Sequence, residues 1–160
     1  MAATPIAKVT RYWPKGKLKW YWVPTIANIN APTRAELNAG VDLSGEVAGY
    51  DGWTTSSNFE NAPDVNSRFV SKVAADIEAE DSSLTMYADP SGSDARTLMP
   101  RGSTGNIVRF GGGDIPGRKM DVFPVEVGAV SKPFEMDAVP VIQFQFAITS
   151  EPAEDVTVPA

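Results

Sequence analysis

A two-residue alternation runs through AVPVIQFQFAIT, residues 138–149, and it dictates a strand. Ile142, Phe144, Phe146 and Ile148 fall on one face, Gln143 and Gln145 on the other, the mark of a strand half buried against a core. The same period recurs at 17–26. Leu18, Trp20, Trp22 and Ile26 share one side, while Lys17, Lys19, Tyr21 and Val23 share the opposite one. The unbroken run Trp20-Tyr21-Trp22 is therefore expected to split into two core anchors and one outward ring.

Thirteen prolines and thirteen glycines interrupt the chain at short intervals, which favours many short strands over long helices. Further strands are expected at 42–49, 68–73, 83–88, 106–110 and 118–130, with Pro124 confining the last to an edge or a bulge. Two short helices carry their own signals. Thr33 and Glu36 form a capping-box pattern over about 33–39, with Gly40 as a left-handed stop. Over about 94–100, Ser93 is a candidate cap, Ala95, Leu98 and Met99 make one apolar stripe, and Pro100 ends it.

The reading is a single, mainly β domain over 1–160, a β-sandwich or barrel-like fold with one flanking helix. The polar ends 1–10 and 150–160 are expected as an arm and a tail, and 50–72 as a long loop or hairpin. No apolar stretch approaches the ~20 residues of a membrane helix, and no signal-peptide pattern opens the chain.

Cysteine and histidine are both absent, which removes disulfides, thiolate sites, histidine general bases and the common zinc sites. Chemistry would rest on carboxylates, lysine or tyrosine, and no catalytic, metal or cofactor residues are assigned. Three segments carry weaker chemical signals. Asp76, Glu78 and Glu80 alternate as a strand-borne acidic stripe, but a calcium loop needs tighter turns and more oxygen ligands. The glycines 111–113 lack the lysine of a phosphate loop and are expected as a turn. RGSTG at 101–105 falls outside the serine-nucleophile elbow and reads as a helix-to-strand turn.

Charge is uneven within a net −6. Residues 1–40 hold Lys8, Arg11, Lys15, Lys17, Lys19 and Arg34 against Glu36, whereas 41–100 hold eleven acids against Arg68, Lys72 and Arg96. Such polarity lets one face of a subunit attract the opposite face of the next. The basic-aromatic start RYWPKGKLKW has the make-up of a single-strand nucleic-acid binder, but overall acidity opposes phosphate affinity.

Four segments together resemble the tail tube proteins of long-tailed bacteriophages. KWYWVPTIANINAPTRAELNAGVDLSGEV (19–47) is similar to that family's opening strand, PT-x-x-EL helix and D-L-S-G strand. AEDSSLTMYAD (79–89) with DARTLMPRGSTGNIVRF (94–110) is similar to its strand-helix-strand unit. GGGDIPGRKMDVFPVEV (111–127) and IQFQFAITSEPAEDVTVPA (142–160) are similar to its closing strands and tail.

The resemblance implies a virion subunit, present in the host cytoplasm before assembly. It implies stacked rings, typically of six, forming a hollow conduit through which double-stranded DNA passes unbound. A tape measure protein and terminator or tip proteins are the implied partners, with no cofactor and no catalysis. On that reading Lys17, Lys19, Tyr21, Trp53, Phe59, Arg68, Lys72, Gln143 and Gln145 are candidate subunit contacts. Asp76, Glu78 and Glu80 are candidate lumen or ring-contact acids. The alternative is a carbohydrate-binding β-sandwich, which needs Trp13, Trp20 or Trp22 exposed on one flat face. A carboxylate hydrolase ranks last, since no facing pair of acids stands out.

Overall fold

The computed structural model describes residues 2–160; Met1, the first residue of the expected arm, lies outside the described residues. The chain is mainly β. In order come β1 (Lys19–Val23), α1 (Arg34–Asn38), β2 (Val41–Asp42), β3 (Val47–Asp51), β4 (Thr55–Ala62), β5 (Ser71–Ala79) and β6 (Ser82–Tyr87). Then follow α2 (Ala95–Leu98), β7 (Thr104–Phe110), β8 (Lys119–Ser131), β9 (Val141–Ile148) and β10 (Ala153–Thr157).

One antiparallel sheet runs β2-β1-β7-β8-β9-β6-β3, with β10 added beside β8, and β4-β5 form a separate two-stranded ribbon. The large sheet curls but does not close, because its end strands β2 and β3 are not paired with each other. The barrel-like expectation is corrected to that extent. Curling brings Trp20 on β1 within 5.1 Å of Tyr50 on β3, ring to ring. Trp53 fills the space inside the curl, 5.3 Å from Trp20, 5.2 Å from Phe123 and 5.4 Å from Phe146.

Both faces of the central strands are buried, which strand periodicity alone did not reveal. Trp20, Trp22, Ile107, Phe123, Val125, Phe144 and Phe146 belong to the inner cluster around Trp53. The alternate residues Val23, Val108, Phe110, Met120 and Val122 form a second cluster on the opposite face, covered by Leu37 of α1 and by Ala153, Val156 and Val158. Val23 is thus core, not outward. The segment 150–160, expected as a tail, supplies a strand and three buried side chains.

Pro124 shows how this sheet accommodates a missing donor. β8 is central, paired with β7 along one edge, so the edge half of the expectation fails, while a bulge is present further along, between Val127 and Val130. Its other edge is shared: β10 pairs up to Val122, and β9 from Val125 onward. Pro124 falls at the handover, where its carbonyl accepts from Thr149 N at 3.0 Å and no ladder bond is lost.

Both helices are single turns. The capping box at α1 is present: Glu36 N donates to Thr33 Oγ1 (3.2 Å) and Thr33 N to Glu36 Oε2 (2.7 Å). Ala27 N donates to Oε1 of the same carboxylate (2.8 Å), which fixes the incoming loop. These donors hold the Glu36 carboxyl below its ordinary value of 4.5. Gly40 is not left-handed; a Cβ there would lie 2.7 Å from Val23 Cγ2 and 2.8 Å from Trp22 O, so close packing on β1 requires it. At α2 the cap is Asp94, not Ser93, with Asp94 Oδ1 accepting from Arg96 N at 3.0 Å. The Arg96 guanidinium bonded to the same carboxylate holds it well below the usual range.

Candidate assembly surface

The ribbon β4-β5 projects from the body with little cover from its own subunit. All nine residues of β5 are exposed. At its base Thr55 Oγ1 donates to Glu154 Oε1 of the body (3.3 Å), while Glu80 N donates to Thr54 O (3.0 Å) across the ribbon's own foot. Cross-strand register sorts its side chains. Phe59 pairs with Ala74 and Ser57 with Ile77, so Phe59, Ala74 and Ile77 share one face. Glu60 pairs with Val73 and Ser56 with Glu78 on the other. Between them β5 carries one extra residue, a bulge in the Ala75–Asp76 region that twists the ribbon.

Phe59 is 63% exposed and Ile77 62%, and Phe69 in the ribbon's turn is 77%. Large apolar side chains standing this free, in a cluster, mark a contact surface. The segment 55–81 also holds Glu60, Asp64, Asp76, Glu78, Glu80 and Asp81 against Arg68 and Lys72. The face opposite Phe59 and Ile77 carries Glu60 and Glu78 together with Val73. Asp76 and Glu78 lie on β5, and Glu80 just beyond its end.

Two other segments are exposed. Residues 2–17 carry Ile6, Val9, Tyr12 and Trp13 in the open, tied down by Tyr12 Oη donating to Gly111 O at 2.8 Å. The β8–β9 connection presents Phe134, Met136 and Val139.

The residues singled out from sequence scatter over these surfaces. Phe59 and Lys72 sit on the ribbon and Arg68 in its turn, all exposed. Gln143 and Gln145 line an open cleft of about 440 Å³ with Asp51, Asp81 and Ser83. Lys17 lies exposed over the Tyr12 ring, 5.4 Å from its centroid. Lys19 is already paired with Asp42 on the neighbouring strand, at 2.9 Å.

One assignment is corrected, and a second residue is only half-exposed. Trp53 is fully buried, its Nε1 donating to Ser83 O (3.0 Å) and its N to Ser82 Oγ (3.0 Å), so it is a core residue. It takes φ 62°, a left-handed conformation costly for a bulky residue, directly after Gly52 at φ 76°. That double left-handed step turns the indole inward from a polar run. Tyr21 is half-buried against Phe110, centroids 4.6 Å apart, and its Oη donates to Asp114 at 3.0 Å. Part of its ring stays open to solvent, so it stays among the proposed contacts. Ile77, Val73 and Phe69 were not picked out from sequence; for Val73 and Ile77 the signal was apolar residues interleaved with acids in 73–78.

A family model described as phage tail tube protein matches residues 6–160, essentially the whole chain. Among solved structures, the chain is similar to one titled cryo-EM structure of the anti-feeding prophage baseplate, 6-fold symmetrised. The TM-score is 0.52 at 10% identity, covering 94% of this chain and 95% of that one. It also matches the SPP1 Dit protein, described as a hub adsorption apparatus protein of phages infecting Gram-positive hosts, with TM-score 0.40 and 12% identity over 83% of this chain and 50% of that one. Proteins with curated descriptions give no match. With its full-length family match, and a mainly β fold in keeping with it, this chain belongs to the phage tail tube protein family.

Proposed function

We propose that this tail protein self-assembles into stacked rings that form a hollow conduit for DNA, with the β4-β5 ribbon as the principal contact between copies. The observation that carries the reading is the ribbon itself. An isolated two-stranded ribbon is marginal in water, and this one exposes Phe59, Ile77, Val73 and Phe69 without cover. A neighbouring copy supplies the missing surface. Head-to-tail contacts of this kind close into rings or extend into filaments.

Six subunits per ring is the count we propose; the similar baseplate structure, titled as 6-fold symmetrised, supports it through its fold alone. The acids Asp76, Glu78 and Glu80 are assigned to the lumen or the ring contact. A lumen of that charge repels phosphates, so DNA slides through without binding. Arg68, Lys72, Gln143 and Gln145 remain proposed contacts. The tape measure, terminator and tip proteins are the proposed heterologous partners, and the virion tail is the proposed final location after assembly in the host cytoplasm. A structural subunit of this kind performs no catalysis.

The carbohydrate-binding alternative needs tryptophans on a flat exposed face. Of Trp13, Trp20 and Trp22, Trp13 alone is exposed.

Negative-stain microscopy across a concentration series tests the proposal: rings or tubes should appear. A chain that stays monomeric by light scattering at high concentration, with no tubes in any salt, overturns it. Replacing Asp76, Glu78 and Glu80 together by lysine should disturb tube formation or DNA delivery; normal tubes and normal infectivity would remove these acids from the assigned surface.

A further inference from the structure

The arm carries a strand that the subunit itself does not use. Residues 6–13, IAKVTRYW, are rich in strand formers (Ile6, Val9, Thr10, Tyr12, Trp13) and bracketed by Pro5 and Pro14. Prolines end a ladder, so the bracket defines a strand of one length. Yet none of these eight residues lies in a strand, and all are exposed, Ile6 to 93%.

The large sheet offers a matching vacancy. β3 pairs with β6 on one side, and its other edge is free because the sheet does not close. Every second residue of such an edge presents unpaired N–H and C=O groups. Among the described residues, nothing of the same chain pairs with that edge. Beside it lies an open cleft of about 400 Å³, lined by Val47, Ala48 and Tyr50 of β3, by Leu18 and Trp20, and by Pro14, Lys15 and Gly16 at the root of the chain's own arm, which leaves residues 6–13 outside it. The Trp20 Nε1–H is buried without an acceptor.

Charge selects the same pairing. The arm holds Lys8 and Arg11, and no acid precedes Glu36. β3 is bounded by Glu46 and Asp51, with Asp81 sharing a cleft with Asp51. In its own subunit the arm is committed elsewhere: Tyr12 Oη bonds to Gly111 O at the β7–β8 turn. The occupant of the β3 edge is therefore a second copy.

We infer that residues 6–13 of one copy add as a strand to the free edge of β3 in another, closing the open side of its sheet. Backbone hydrogen bonds supply the affinity, and Lys8 and Arg11 against Glu46 and Asp51 supply the choice of edge. The contact rests on the self-assembly proposed above, but it is separate from the ribbon contact.

The absence of cysteine makes the test clean. A chain with Val9→Cys is mixed with a chain carrying Ala48→Cys or Tyr50→Cys under mild oxidation. A disulfide-linked heterodimer should form, and its yield should fall at least severalfold when Lys8→Glu and Arg11→Glu are added to the first chain. It should recover when Glu46→Lys and Asp51→Lys are added to the second. No cross-link with Ala48 or Tyr50 overturns the inference, as does a yield no greater than that with a control Thr97→Cys. A double variant that cross-links only within one chain also overturns it. The same samples are viewed by negative stain: tubes without the cross-link sink the arm contact and leave the tube reading standing. Cross-link without tubes supports the arm contact and counts against the tube.

Discussion

Arg34 and Asp114, eighty residues apart, meet in a forked contact: Arg34 Nη1 lies 2.8 Å from Asp114 Oδ1 and 3.0 Å from Oδ2. Nη2 of the same guanidinium donates to Pro159 O at 2.6 Å. One side chain thus ties α1 to the β7–β8 turn and to the segment after β10. Both partners are largely sheltered, so the pair should hold well against salt. Asp114→Ala should cost about 1.5–3 kcal/mol, the range for hydrogen bonds to charged groups. Urea denaturation of Arg34→Ala, Asp114→Ala and the double variant checks it; the double variant should lose less than the two single losses combined.

The same carboxylate gives the fold an alkaline limit. Burial first, and then the bond to Asp114, push the Tyr21 phenol from 10.0 up to about 12. The folded state holds this proton more tightly than the unfolded chain does. Its contribution is therefore complete below pH 10 and is lost as pH rises towards 12. Tyr21→Phe should remove that part of the alkaline loss, measured as denaturation midpoint against pH. A wild-type and variant that fall in parallel would show that Tyr21 is not the group responsible.

At low pH the sign reverses. Glu36 is held below 4.5 by the backbone N–H groups of Ala27 and Thr33, and Asp94 below 3.8 by Arg96. Groups lowered in the folded state stabilise it above their unfolded values, and the effect is lost as pH falls through the folded ones. Stability should decline below about pH 4.5, with Glu36→Gln flattening the upper part of that decline. Circular dichroism melts from pH 3 to 7 give the comparison.

Gly105 is required by contact, not by backbone angle. A Cβ there would stand 2.6 Å from Trp22 Cη2 and Cζ2. Trp22 is buried in the inner cluster and has little room to move. Gly105→Ala should therefore cost about 1–3 kcal/mol, as overpacking does. A thermal melt with an unchanged midpoint would mean that the indole yields.

The ribbon predicts a separation of stability from assembly. Phe59→Ser and Ile77→Ser touch no packed core of the subunit, so each should alter its stability by less than about 0.5 kcal/mol. Light scattering of the same variants should show weakened self-association. Equal loss in both measurements would place these side chains inside the fold.

Legibility in the sequence followed burial. β9 and β1 were readable because one face of each meets the inner cluster at every second residue. β10 was not: Ala153, Val156 and Val158 do not alternate, because the left-handed Asp155 (φ 55°) shifts the register between Ala153 and Val156. Trp53 hid in a polar run whose two left-handed residues no periodicity encodes. β4, TSSNFENA, lacked any pattern because neither of its faces is buried within the subunit. A strand with no buried face leaves no hydrophobic period, which is why the candidate assembly surface was the least legible part.

The position of β10 has a consequence in time. Val23, Val108, Phe110, Met120 and Val122 wait for Ala153, Val156 and Val158 to cover them. Translation proceeds at about 5–20 residues per second, from the N-terminus. β1, β7 and β8 thus emerge before the second face can be sealed, and a nascent chain lacks its finished outline until residues 153–158 are made. In the self-assembly proposed above, that order of synthesis keeps copies still on the ribosome out of step with finished ones.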